Sequence, residues 1–175
     1  MYNSCGKHNG NIESFPSYWA KENLKLREEP LTDSKEILTI QQREMVQILD
    51  TGEEETINNI TGNWVYVQTE NGEKGWCFGG YLTDNREEAF IISNWRIEEE
   101  WGISGRIFES NGVFNSYSHD GVGGFIEFGS WSINENNIHI IYDLISGGGE
   151  YVTPFNFIDD NTLKIGDIVY HRVTE

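Results

Sequence analysis

Cys77 is the residue whose type best suits nucleophilic chemistry, with His8, His119, His139 and His171 as the candidate bases. A catalytic thiol usually sits at a helix N-terminus, where the dipole lowers its pKa, and it needs a base within hydrogen-bond reach. Cys77 stands instead between Trp76 and Phe78 in an apolar run, so it is expected to be an inert strand residue. The four histidines are scattered one to a segment without His-x-x-His, Cys-x-x-Cys or His-Glu-x-x-His spacing, and no metal site is expected from them. The acidic runs Glu53-Glu54-Glu55 and Glu98-Glu99-Glu100 would point alternate side chains to opposite faces of a strand, so neither aims three carboxylates at one ion. A glycosidase needs two carboxylates facing each other across a cleft, and the sequence nominates no such pair. Gly121, Gly123 and Gly124, like Gly147-Gly148-Gly149, lack the Lys-Ser/Thr and the following helix of a phosphate loop and read as hairpin tips. No catalytic residue, metal or cofactor is expected.

The aromatic residues remain. Trp64, Tyr66, Trp76, Phe78 and Tyr81 crowd one short stretch, and alternation along strands cannot send all of them into a small core. That stretch reads as a hairpin: Trp64, Val65, Tyr66 and Val67 suit a pleated, half-buried strand, and Asn71-Gly72 suits a two-residue type I′ turn. The return strand is 75–78, and Gly79-Gly80 breaks the ladder before Tyr81-Leu82.

The elements that must position this hairpin come from a chain of 175 residues, enough for one large domain or two small ones without disulfides or metal. Aromatic residues and glycine are abundant and alanine is confined to Ala20 and Ala89, which favours β structure. The net charge of −17 is spread over both halves, and bases are nowhere clustered, so nucleic acid is excluded as a partner. The sequence contains no apolar run long enough to span a membrane as a helix. Two cysteines, Cys5 and Cys77, exclude a disulfide framework.

Residues 1–17 are polar and without apolar periodicity, and a disordered leader is expected there. Cys5-Gly6 followed by a polar tether resembles the mature start of a bacterial lipoprotein, which implies lipidation at Cys5 and membrane contact only through that anchor. From residue 18 onward, Leu24-Lys25-Leu26-Arg27-Glu28-Glu29-Pro30, Ile37-Leu38-Thr39-Ile40, Val46-Gln47-Ile48-Leu49, Gly62-Asn63-Trp64-Val65-Tyr66-Val67 and Asn71-Gly72-Glu73-Lys74-Gly75-Trp76 through Gly80-Tyr81-Leu82 follow one another in order. Together they resemble a bacterial SH3 (SH3b) domain over about a third of the chain. The sequence departs from that family at Gln41-Gln42-Arg43-Glu44, where the family usually has a glycine, and 56–61 reads as a longer loop. The resemblance implies a peptide or glycan-peptide groove lined by Trp64, Tyr66, Trp76, Phe78 and Tyr81 and bordered by Glu28 and Glu29 on the loop after Arg27. Acids beside aromatics then favour a cationic partner.

Residues 84–88 are charged and read as a linker, although Asn85 could cap a short helix with Glu88 three residues on; 91–97 reads equally well as a strand. Beyond it, β candidates at 104–109, 113–117, 125–133, 138–142, 151–158, and 163 with 168–172 alternate with turn signals at Asn111-Gly112, Asp120-Gly121, Asn136-Asn137, Gly147-Gly148-Gly149 and Asp159-Asp160-Asn161. Such a meander is expected to close into a small barrel, which removes exposed edges. Arg106-Ile107-Phe108, Gly129-Ser130-Trp131 and Phe155-Asn156-Phe157 in this half resemble small lipocalin-like domains of bacterial envelope proteins.

The expectation is therefore an all-β chain: a leader over 1–17, an SH3b domain over 18–84 and a lipocalin-like barrel over 85–175. Its expected role is non-enzymatic binding of a peptide, a peptidoglycan stem peptide or an envelope protein at the bacterial cell envelope, periplasmic or lipid-anchored. A degenerate cell-wall hydrolase and a structural accessory lipoprotein are the alternatives.

Overall fold

The structure is a computed structural model that describes residues 15–99, 102–119 and 122–174. The first half contributes β1 (Ser17–Ala20), β2 (Leu24–Arg27), β3 (Glu36–Ile40), β4 (Met45–Ile57), β5 (Ile60–Thr69), β6 (Lys74–Phe78) and β7 (Leu82–Thr83). These pair antiparallel in the order β3-β2-β6-β5-β4-β1-β7 as an SH3-like half-barrel. Leu24 and Leu26, Val65 and Val67, Ile40, Val46, Ala20 and Cys77 form its core, each taken from the inward face of an alternating strand. Ser17 already pairs with Gln47, so the first strand starts inside the expected leader, while Cys5 lies outside the described residues.

Two turns differ from the sequence reading for identifiable reasons, and a third shows how the departure at 41–44 is accommodated. The expected loop at 56–61 is the tip of a long β4–β5 hairpin, where Ile57 pairs with Ile60 and Asn58 and Asn59 both take positive φ (52° and 65°), as type I′ requires. Asn71-Gly72 does not form that turn: only Gly72 is at positive φ (86°), Gly72 N–H donates to Thr69 O (2.9 Å) and Thr69 N–H to Glu73 O (2.9 Å). This is the three-residue loop with a left-handed glycine, and Asn111-Gly112 repeats it with Gly112 at φ 83°. At 41–44, where the family has glycine, Arg43 itself takes φ 72° and its N–H donates to Ala20 O (2.7 Å).

Residues 84–88 are no bare linker. Asn85 caps α1 (Arg86–Ile91), its Oδ1 accepting from Glu88 N–H at 3.2 Å, and the helix buries Ala89, Phe90 and Ile91. Thr83 Oγ1 donates to Glu88 Oε2 (2.7 Å), Lys21 Nζ pairs with Glu88 (3.5 Å) and Gln42 Nε2 donates to Ile92 O (2.9 Å) from the first half. On the other side Arg86 pairs with Asp160 at 3.2 Å.

The strand reading of 91–97 holds from Ser93 onward, whereas Ile91 ends the helix and Ile92 is its C-cap. β8 (Ser93–Glu99), β9 (Gly102–Phe108), β10 (Val113–His119), β11 (Gly124–Asn134), β12 (Asn137–Tyr142), β13 (Gly149–Asp159), β14 (Thr162–Ile165) and β15 (Ile168–Arg172) pair each with the next, and β15 returns to β8 to close the barrel. One end therefore carries the β12–β13 and β14–β15 connections; the other faces α1. The end near α1 is dry. Ile91, Ile92, Trp95, Phe108, Phe114, Trp131, Ile138, Ile140, Phe155 and Leu163 fill it, with Trp95 Nε1 donating to Ile91 O at 2.7 Å. Phe114 and Tyr142, on the strands that flank Gly129, meet edge to face at 5.8 Å across it.

Phe90 packs on Phe157 (6.2 Å) and under Arg86 (3.8 Å), so it seals the barrel floor. Phe90→Ala is expected to destabilise the protein by about 3 kcal/mol, as large-to-small changes of buried aromatics do; urea denaturation followed by near-UV circular dichroism measures it, and a loss below about 1 kcal/mol would show that α1 does not seal the floor.

Candidate functional site

The β5–β6 hairpin sorts its residues by pleat. Val65, Val67 and Cys77 enter the core, whereas Trp64, Tyr66, Trp76 and Phe78, in the registers Trp64–Phe78 and Tyr66–Trp76, share the opposite face. The aromatics are thus excluded from the core by alternation. The long β4–β5 arm curls over them: Trp64 is only 4% exposed, and its Nε1 donates to Glu55 Oε2 at 2.6 Å. The arm bends at register shifts between Ile48 and Asp50 and between Thr51 and Glu54, and Gly52 lies so close to Trp76 that a Cβ would stand 3.0 Å from the ring.

The rings form two groups. Trp64, Phe78 and Tyr81 interlock edge to face, with Trp64–Phe78 at 6.1 Å and Phe78–Tyr81 at 5.8 Å. Tyr66 and Trp76 pair separately at 5.4 Å. Gly79-Gly80 opens a 3₁₀ turn that carries Tyr81 back to Phe78, and a Cβ on Gly80 would stand 2.5 Å from the Phe78 ring. The first group walls a surface cleft of about 170 Å³, completed by Asn23, Leu24, Lys25, Arg27, Thr32 and Ile57.

Of the expected groove residues, Trp64, Phe78 and Tyr81 line this cleft, and Tyr66, Trp76, Glu28 and Glu29 do not. Glu28 is turned to Lys35 (2.5 Å), and the Glu29 N–H donates to Ser34 Oγ (2.9 Å). The charged side chains on the cleft are bases instead: Lys25, held by Glu36 at 2.8 Å, and Arg27, whose Nη1 donates to Ser34 O at 2.5 Å. Their alternation with Leu24 and Leu26 was the signal for their placement, since inward leucines leave Lys25 and Arg27 on the aromatic face. The geometric ground for a cationic partner is thereby removed.

The cleft, the curled arm and the Gly-Gly turn occupy a defined stretch of sequence. Residues 22–83 match the family model of the bacterial SH3 domain. No curated protein and no solved structure matches the chain. SH3b domains generally bind cell-wall or peptide ligands and are typically extracytoplasmic or cell-wall associated, which supports a binding module in this half of the chain.

Cys77 is fully buried in the SH3b core, and burial pushes its thiol up to about 12, the opposite of what a nucleophile needs. A thiol whose folded pKa exceeds its unfolded value of 9.0 contributes stability that is intact below that value and is lost as pH rises toward about 12. With Cys5 replaced by Ser, the native protein is expected not to react with a disulfide thiol reagent at pH 8 and to react fully once denatured. Fast native labelling would show an accessible thiolate.

Proposed function

We propose that the chain is a non-enzymatic binding protein of the bacterial cell envelope whose SH3b domain takes a short peptide, of the kind found in peptidoglycan stems, in the Trp64–Phe78–Tyr81 cleft. The observation that carries this reading is the cleft itself: three interlocked aromatic rings beside Lys25 and Arg27 on a rigid strand pair. Aromatic walls offer apolar contact at little entropic cost, and arginine offers a donor fork to a carboxylate. A peptide with a free carboxylate and a small apolar side chain fits that surface. Lipid anchoring through Cys5 belongs to the same reading.

Muropeptides titrated into the protein are expected to shift the amides of Leu24, Arg27, Phe78 and Tyr81. Tyr81→Ala is expected to weaken binding by about 1 to 3 kcal/mol with the fold retained, as the loss of a hot-spot aromatic does. Shifts confined to the second domain, or release of soluble fragments from purified peptidoglycan, would overturn the reading. Metabolic labelling with a palmitate analogue in a bacterial host is expected to tag the chain and to be abolished by Cys5→Ser; an untagged chain removes the anchor.

A further inference from the structure

At the barrel end away from α1, the mouth, the usual sorting of residues is inverted. Arg106, Ser116 and Glu127 on β9, β10 and β11 share a polar lumen, where Ser116 Oγ donates to Glu127 Oε2 at 2.8 Å. On the outer wall, strand alternation places Ile126 and Phe128 on β11, Ile141 on β12 and Val152 on β13, each about half exposed. Ser130 stands opposite Ile141 and His139 opposite Val152, so Phe128, Ile141 and Val152 are diagonal neighbours across three strands. The β12–β13 connection adds Leu144 and Ile145 at 92% and 97% exposure. That connection is no loose tip. Asp143 N–H donates to Phe128 O and Phe128 N–H to Ser146 Oγ (both 2.9 Å), while the Gly147 and Gly148 N–H groups close back on Leu144 O (3.1 Å) and Asp143 O (3.0 Å). Leu144 and Ile145 are thus held out into solvent beside Phe128. Single exposed apolar residues need no explanation, whereas a contiguous group marks an interaction surface.

We infer that this outer wall docks a protein segment that carries apolar side chains flanked by lysine or arginine. The charge around the patch selects the partner. Between Arg106 and Lys164 the sequence has no lysine or arginine, whereas Glu150 stands opposite Ile141 and Asp143 adjoins the turn that carries Leu144. His139 is turned to Glu150 at 3.6 Å. Lys164, on β14, lies opposite Asn156, farther along β13 than Val152, and pairs with Asp167 at 3.9 Å. A second copy of this chain would bring the same acids against its own, and the net charge of −17 opposes that pairing. Anionic lipid is opposed in the same way, and a membrane surface finds no lysine or arginine on these strands to hold its headgroups. Asn115, Ser130 and His139 share the wall and interrupt it as a lipid-facing band. A basic protein segment meets neither obstacle: its cations face Asp143 and Glu150 while its apolar side chains cover Phe128, Ile141 and Leu144. This surface is separate from the SH3b cleft, whose charged side chains are Lys25 and Arg27, and it does not rest on the peptide-binding reading.

The probe is a model peptide of leucine and lysine spaced to form an amphipathic helix, titrated into the full chain and followed by amide shifts and calorimetry. Saturable shifts are expected at Ile126, Phe128, Ile141 and Ile145. Phe128→Ser and Ile141→Lys are each expected to weaken binding about tenfold, as the loss of a central apolar contact does; should Phe128→Ser lose its amide dispersion, Ile141→Lys decides. Asp143→Asn combined with Glu150→Gln is expected to weaken binding about threefold at low salt and to flatten its salt dependence. Glu70→Gln combined with Glu73→Gln, an equal loss of charge in the SH3b domain, is expected to leave binding unchanged, and the same peptide with glutamate for lysine is expected not to bind. Shifts confined to other surfaces, unchanged binding in the folded Ile141→Lys variant, or an equal loss in the Glu70 and Glu73 variant would overturn the inference. So would adsorption of the full chain to phosphatidylcholine vesicles that Ile141→Lys abolishes, or a dimer that it dissociates, since lipid or a second copy would then occupy the wall.

Discussion

The barrel is closed where its last strand meets its first. Among the described residues, β15 meets β8 through two register pairs, His171–Arg96 and Arg172–Trp95, with one further hydrogen bond from Val173 N–H to Asn94 O at 2.9 Å. Side-chain contacts reinforce this seam at Arg172. Its guanidinium lies 4.3 Å from the Trp95 ring centroid, Nε and Nη2 donate to Asp160 O (3.0 and 2.9 Å), and Nη2 also donates to Phe90 O (2.8 Å). One side chain thus joins the last strand to the first, to the β13–β14 turn and to the end of α1. Burial, aided by the neighbouring Arg43 charge and opposed by Asp160, lowers its pKa to about 10, so it is still charged at neutral pH. A buried charge held by three hydrogen bonds to two carbonyls and by an indole cannot be removed without leaving those carbonyls orphaned, which fixes the seam more firmly than its two pairs suggest.

That seam also sets how the halves meet. Because Arg172 holds the Phe90 carbonyl, α1 is drawn beneath the barrel and its other side turns to Lys21, Gln42 and Arg43. Arg43 lies 6.0 Å from the Phe90 ring centroid. The left-handed backbone at Arg43 is uncommon for a residue with a Cβ, yet a glycine there would provide no side chain to reach the helix. The departure from the SH3b pattern that the sequence displays at 41–44 is where this SH3b domain touches its neighbour.

Most strands were legible in the sequence because each lies between turn residues whose chemistry is local. What was not legible depended on distant contacts or on competition between equivalent local readings. Asn-Gly serves both two- and three-residue hairpin loops, so Asn71-Gly72 located its turn without specifying its type. Asn58-Asn59 is itself a sound I′ pair, but the polar run from Glu53 to Thr56 masked the strand leading to it. In the cleft, strand alternation separates the aromatics from the core and says nothing about which of them a curled arm will bring together; Glu28 and Glu29 were placed by analogy, whereas Lys25 and Arg27 were available from the pleat. The polar lumen was hidden because Arg106, Ser116 and Glu127 lie on three separate strands and converge only through barrel register.

The up-and-down order of the barrel separates its two ends in a way that matters for change. The seam, α1 and the dry aromatic packing lie below Tyr142 and Tyr170, whereas the β12–β13 and β14–β15 connections lie at the far end and are held chiefly by local contacts such as Phe128 N–H to Ser146 Oγ (2.9 Å). Lengthening such a connection costs chiefly loop-closure entropy, about 0.6 kcal/mol for each doubling. The mouth is therefore a graftable surface: loops of new length and chemistry can be installed there while the foundation is left untouched, so recognition and folding can diverge independently in this barrel.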